Sequence, residues 1–231
     1  MPVFTPHFAP FVVLAFLGTA FALVLCLLIV LIGALRKSRV LVLSGLGAGL
    51  ALALVYGMVL LGLSLFSSEA VLAQGEWKYF CEIDCHIAYA VAGVQVARSV
   101  GPEMQPVTAS GKFVIVALKT WFDPSTISAH RGNGPLMPNE RKLCLIDSAG
   151  HVFGKSPRTE AILTAAALHS APLRTALRPG ESYVSYLVFE IPSESSQLRL
   201  LLSSADEVDI ALWGHEDSPF HKKAFFALPI S

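Results

Sequence analysis

Two uninterrupted apolar stretches occupy most of the first 66 positions, and beyond them short apolar runs alternate with polar punctuation. Neither stretch, residues 10–35 or residues 40–66, contains Asp, Glu, Lys or Arg. Each exceeds the roughly twenty residues that an α-helix needs to cross about 30 Å of hydrocarbon. Their length and Leu/Val/Ala/Gly/Phe make-up predict a hairpin of two transmembrane helices rather than one cleaved targeting segment. The small residues of "AVLAQ", residues 70–74, resemble a cleavage site, but the apolar region before them is a whole hairpin.

Between the stretches lies "RKSR", residues 36–39, and short basic loops stay on the cytoplasmic side. Residues 1–69 therefore read as a two-pass anchor in a bacterial inner membrane, with both termini outside the cytoplasm. Gly45 and Gly49 form a small-xxx-small pair suited to close helix approach. Residues 70–76 read as a linker and residues 77–231 as an extracytoplasmic domain.

In that domain "GKFVIVALKTWFD", residues 111–123, is rich in β-branched and aromatic residues and predicts a strand buried on both faces. "RKLCLIDSAGHVF" predicts a hairpin turning at residues 147–150, where Gly150 supplies a positive φ. "TEAILTAAALHSAPL" predicts a short helix ending before Pro172. After "RPGES" come "YVSYLVFEIP", "QLRLLLSS" and "VDIALWG", three apolar runs read as strands, and "HKKAFFAL" is the last element. Many short strands with one helical interruption predict an all-β sandwich. The Pro/Gly-rich segment 123–140 reads as a surface loop.

Composition narrows the function classes. Removing Arg36, Lys37 and Arg39 from 17 basic residues and Glu69 from 17 acidic ones leaves 14 against 16, so the outer region is slightly acidic. That balance gives no support for nucleic-acid binding, and the membrane and a protein partner in the membrane or periplasm are the expected associations. No phosphate-binding Gly-rich loop, "GxSxG" or "HExxH" occurs, and no enzyme is expected. The adjacent pairs Asp206-Glu207 and Glu216-Asp217 read as solvated turn residues.

The strand and turn segments "GKFVIVALKTWFD", "LCLIDSAGHVFG" and "LRPGESYVSYLVFEIP" followed by "LRLLL" resemble DUF4352-type, telokin-like domains of bacterial lipoproteins and membrane-anchored proteins. The resemblance spans roughly residues 111–210 and implies an immunoglobulin-like sandwich, akin to the cupredoxin-like type, with no catalytic signature. A helical hairpin before a sandwich bearing Cys-x-x-x-Cys also looks like subunit II of haem-copper oxidases. That family's dinuclear copper motif is Cys-x-x-x-Cys-x-x-x-His near the end of its cupredoxin domain. Here "CEIDC" stands at the start of the domain, and the position of the motif's histidine is occupied by Tyr89.

Chemistry concentrates in "YFCEIDCHIAYAV", residues 79–91, where Cys81, Cys85 and His86 fall within six positions. Thiolates and imidazoles suit copper and zinc. In a straight strand the two cysteines would lie about 13 Å apart, too far for one ion or a disulfide, so a joint role requires a loop or turn. The regular alternation begins only after His86, with Ile87, Tyr89 and Val91. A metal site needs ligands from elsewhere, and His215 and His221 in "WGHEDSPFHKK" are the candidates. The Cys85-His86 step also resembles c-type haem attachment, with one residue too many between the cysteines. A Cys81–Cys85 disulfide in an oxidising compartment is the structural alternative. The clustering of His86 with Cys85 among acidic and aromatic residues favours the metal reading, with copper as cofactor and haem as the minor alternative. Electron transfer, metal handling or sensing is the expected role. Cys144 and Cys26 read as packing residues, as His7, His130, His151 and His169 read as surface or hydrogen-bonded ones.

Overall fold

The computed structural model describes residues 9–80, 86–127 and 130–229. Two helices, α1 (Ala9–Leu35) and α2 (Arg39–Leu65), turn back on each other through a tight loop in which Lys37 adopts φ 55°. Each is about 40 Å long at 1.5 Å per residue, and both present apolar side chains outward along most of their length. The glycine pair permits this packing at one point in particular. A Cβ on Gly45 would stand 2.8 Å from Val30 Cγ2 and 3.0 Å from the Cys26 carbonyl oxygen.

Among the described residues nine strands follow: β1 (Ala70–Leu72), β2 (Lys78–Phe80), β3 (Ile87–Val100), β4 (Val107–Phe122), β5 (Arg141–Ile146), β6 (Val152–Phe153), β7 (Ser182–Ile191), β8 (Arg199–Ser204) and β9 (Ala224–Ala227). They form a five-stranded sheet in the order β1-β9-β8-β5-β6 and a four-stranded sheet in the order β2-β3-β4-β7. All pairings are antiparallel except β1 with β9, where Ala70 lies opposite Ala224. The stretch read as a linker thus contributes the strand that joins the sandwich to the end of α2.

The two sheets close on one core. Tyr89, Val91, Val114, Val116, Leu118, Leu187 and Phe189 of the four-stranded sheet meet Leu145, Leu200, Leu202 and Phe226 of the other. The opposite face of β4 is also covered, because helix α3 (Thr159–Ala165) lays Ile162 and Leu163 over Phe113, Ile115 and Val188. This is why residues 113–116 are buried on both faces, as their apolar run predicts. The hairpin at residues 147–150 forms as expected, with Gly150 at φ 85° and the Asp147 carboxylate accepting the backbone N–H groups of Ala149 and His151.

One strand assignment is corrected. "VDIALWG" forms a 3-10 turn, Val208–Ala211, and not a strand. Its alternation is real but inverted: Asp209 is buried, whereas Val208 and Ile210 are 51% and 54% exposed. Apolar side chains point away from the sandwich and a carboxylate points inward, so the ordinary burial drive that fixes a strand's face is absent.

Candidate functional site

Phe80 and Ile87 are register partners across the antiparallel pair β2–β3. Cys81 and Cys85 lie between them in the sequence, outside the described residues. His86 is described and is held firmly. Its ring stacks on Phe122, with centroids 5.5 Å apart and planes 11° from parallel, and it is 6% exposed. Nδ1 lies 2.7 Å from Thr126 Oγ1, and that hydroxyl donates its own proton to the Asp123 carbonyl at 2.9 Å. With the hydroxyl hydrogen so used, Nδ1 carries the imidazole proton and donates it to Thr126.

Thr126 is itself positioned by a 3-10 turn, Pro124–Thr126, capped by Asp123. Asp123 Oδ1 accepts from the Ser125 backbone and hydroxyl at 2.8 and 2.7 Å, and Oδ2 accepts from Tyr79 Oη at 2.6 Å. Burial pushes the Asp123 carboxyl up, but the hydrogen bonds from Tyr79 and Ser125 prevail and hold it below its ordinary value. Burial, reinforced by Asp123, pushes the Tyr79 phenol up. The chain Tyr79–Asp123–Thr126–His86 therefore fixes both the tautomer and the orientation of the imidazole.

The second constellation surrounds His215, also buried. Asp209 Oδ2 is 3.6 Å from its Nε2 and Asp217 Oδ2 is 3.8 Å from its Nδ1. One ligand atom from each of these three residues lies within 4.8 Å of the others, the distance range of a metal site. Among the described residues no other group of three or more His, Cys, Asp or Glu comes so close, and this one includes neither His86 nor His221. Yet the two carboxylates face opposite ring nitrogens, and Nδ1 accepts the Asp217 backbone N–H at 3.2 Å. The ring proton thus sits on Nε2, toward Asp209. An ion uses one nitrogen, so the orientation suits an array of carboxylate, imidazole and carboxylate better than a coordination sphere. Burial pushes the His215 imidazole below its ordinary value, against the pull of Asp209, Asp217 and Glu216.

Next to this array Lys78 is completely buried. Its Nζ donates to both Glu216 carboxylate oxygens at 2.7 and 2.8 Å and to the carbonyls of Leu202 and Ala224 at 2.5 and 3.0 Å. Lys78 thus ties β2 of one sheet to β8 and β9 of the other through the core. Burial pushes its ammonium down although Glu216 pulls it up. Lys223 pairs with Asp217. The assembly holds three carboxylates against two ammonium groups, so it carries one excess negative charge while His215 is neutral. Glu216, read from sequence as a solvated turn residue, is 4% exposed, whereas Asp206 and Glu207 are exposed as expected. The period-two pattern of "KYF" already put Lys78 on the inward face with Phe80. The other expected site histidine, His221, lies half-buried with Nδ1 2.7 Å from the Lys222 carbonyl oxygen.

The segment carrying His215 also meets the helical hairpin. Tyr56 Oη donates to the Ala211 carbonyl at 2.7 Å, and the Trp213 ring packs on the Tyr56 ring. Between α1 and this segment lies a cavity of about 430 Å³, mainly apolar, with Arg141 and Asp209 in its wall. Cys26, in α1, and Cys144, in β5 opposite Leu201, are both free thiols, and burial pushes that of Cys144 up.

No protein-family profile and no curated protein matches the chain. Three solved structures are distantly similar. A conserved hypothetical protein from Bacillus anthracis is 14% identical with a TM-score of 0.42, over 57% of this chain and 89% of that one. The yjhA protein from Bacillus subtilis is 12% identical with a TM-score of 0.39, over 68% and 98%. A secreted protein from Mycobacterium tuberculosis, MPT63, is 10% identical with a TM-score of 0.40, over 71% and 99%. These likenesses are too distant to transfer a function.

Proposed function

We propose that the protein is a two-pass membrane protein of the DUF4352-like type, whose sandwich lies outside the cytoplasm and binds copper through Cys81, Cys85 and His86. The observation that carries this reading is the Nδ1–H hydrogen bond from His86 to Thr126. Ligating histidines are characteristically held in this way, with the other ring nitrogen committed to an oxygen acceptor that fixes the tautomer. In the neutral ring the lone pair is then on Nε2, and the adjacent thiolates are soft donors suited to copper. His215 and His221 leave the ligand set in this reading, since His215 is bracketed by Asp209 and Asp217 and His221 is turned to the Lys222 carbonyl.

The membrane part of the reading is supported by two helices of 26 and 27 residues whose apolar side chains face outward, with the only basic cluster near them at their connecting turn. A copper-binding outer domain without catalytic machinery fits electron transfer, metal handling or sensing.

The test is metal content and the visible spectrum of the full chain in detergent, before and after copper loading, beside Cys81→Ser/Cys85→Ser. Stoichiometric copper with a thiolate-to-copper band that the variant lacks is the expected result. A Soret band in protein made with haem-maturation machinery would replace copper with haem. An oxidised cysteine pair without bound metal would overturn the reading and leave a disulfide-pinned interaction module.

A further inference from the structure

The cavity beside α1 has a volume within the range of small-ligand sites, about 300–1,000 Å³. Its two walls differ in chemistry. One is the first turns of α1, contributing Phe16 and Leu17, and the other is the rim of the sandwich, with Phe80, Leu212, Arg141 and Asp209. Counting back from the basic turn, about twenty residues of helix span the hydrocarbon, which places Phe16 and Leu17 at the outer surface of the bilayer. Val208, Ile210 and Phe220 on the neighbouring segment are 51%, 54% and 73% exposed, as side chains resting on lipid would be.

In this apolar setting the Asp209 side chain is 4% exposed and its Oδ2 accepts no hydrogen bond, the nearest ring nitrogen of His215 being 3.6 Å away. A buried carboxylate oxygen whose facing N–H stands beyond hydrogen-bond distance calls for a closer donor. On the same wall the Arg141 guanidinium lies over the Phe80 ring at 4.2 Å and 3.4 Å from Ser204 Oγ. The wall thus offers a carboxylate next to an apolar slot that faces the outer leaflet.

We propose that this cavity is a lateral binding site for an aminophospholipid, phosphatidylethanolamine being the probe. Its ammonium donates to Asp209, and one acyl chain lies against Phe16 and Leu17 while the remainder stays in the bilayer. The chemistry discriminates among head groups. A choline head has no N–H to give the carboxylate, and a glycerol head has no positive charge to meet Asp209 and the nearby Asp206. The inference rests on the membrane reading above and is independent of copper.

The test is reconstitution of the full chain into nanodiscs of equal parts phosphatidylethanolamine, phosphatidylglycerol and phosphatidylcholine, followed by native mass spectrometry of retained lipid. Retention of phosphatidylethanolamine about tenfold over each of the other two lipids is expected, as for one charge-assisted hydrogen bond. Asp209→Asn should bring that enrichment to about onefold. Leu17→Trp, which fills the slot from the helix side without touching the charges, should lower retention of every lipid and stands in if the first variant fails to fold. Retention in proportion to the mixture, an enrichment unchanged by Asp209→Asn, or a total retention unchanged by Leu17→Trp, each in protein with wild-type circular dichroism, would overturn the site alone. A chain released from membranes by alkaline carbonate would overturn the membrane reading and the lipid site with it.

Discussion

The indole of Trp213 lies against the phenol ring of Tyr56, with centroids 4.7 Å apart, and donates Nε1–H to the Tyr56 carbonyl at 3.2 Å. One residue belongs to α2 and the other to the turn that leads to His215, so this pair fastens the sandwich to its helical hairpin. Tyrosine and tryptophan prefer the boundary between hydrocarbon and water, where an apolar ring and a polar tip are both satisfied.

Loss of that fastening should be measurable. The ring pair and the indole hydrogen bond together contribute about 2 kcal/mol. Trp213→Ala should therefore speed backbone hydrogen exchange across residues 208–217 by at least about tenfold in the full chain. Tyr56→Phe, which keeps the ring, should do less. Exchange rates equal to wild type would show that the pair does not hold the domain.

The buried ion pair gives a sharper expectation. Glu216→Gln leaves the Lys78 ammonium in the core without its carboxylate, a loss of about 3–5 kcal/mol by precedent for broken buried pairs. Thermal unfolding followed by tryptophan fluorescence should shift down strongly. Lys78→Met/Glu216→Leu, which removes both charges, should recover most of the loss. A double variant as unstable as Glu216→Gln would mean that the charges themselves, and not the orphaned ammonium, decide stability.

His215 should make stability depend on pH. Its folded value is depressed, so the unfolded chain binds the proton more readily. The contribution is therefore whole above the ordinary histidine value of about 6.5 and declines as pH falls through it toward the lower folded value. The unfolding temperature should drop as pH is lowered from about 7 to 5, and His215→Gln should flatten that part of the curve. The groups facing the ring are Asp209, Asp217 and Glu216, with Lys223 opposing them. An unflattened curve would assign the dependence to other groups.

At the proposed copper site, Thr126→Val removes the acceptor that orients His86 while preserving shape. A weakening of copper binding by about 10–100-fold is expected, read by competition with a chelator of known affinity. Equal affinity would take His86 out of the ligand set.

Much of this architecture was legible in the chain because it follows from simple periodicities. The uncharged runs gave the helix pair, Gly45 its close approach, and the apolar run of residues 111–123 a strand buried on both faces. The buried charges were harder. Glu216 sits in a segment whose composition is that of an exposed turn, and its burial goes with Lys78, 138 positions away. Sequence adjacency cannot convey such a pairing, although the inward parity of Lys78 hinted that some carboxylate must meet it. The run around Asp209 was misread as a strand for a related reason. The apolar neighbours of Asp209 face outward, so the rule that apolar positions mark the core pointed the wrong way.

The parallel pairing of β1 with β9 has a consequence for biogenesis. The first strand after α2 finds its partner about 150 residues later, so the five-stranded sheet stays open at that edge until β9 has been synthesised and delivered. Until then Leu200, Leu202 and their neighbours lack the strand that covers them, and the growing chain is at its most prone to misassociation. A chain cut short before Ala224 would keep its helical hairpin and most of its sandwich while leaving an unclosed edge, the kind of product that surveillance proteases remove.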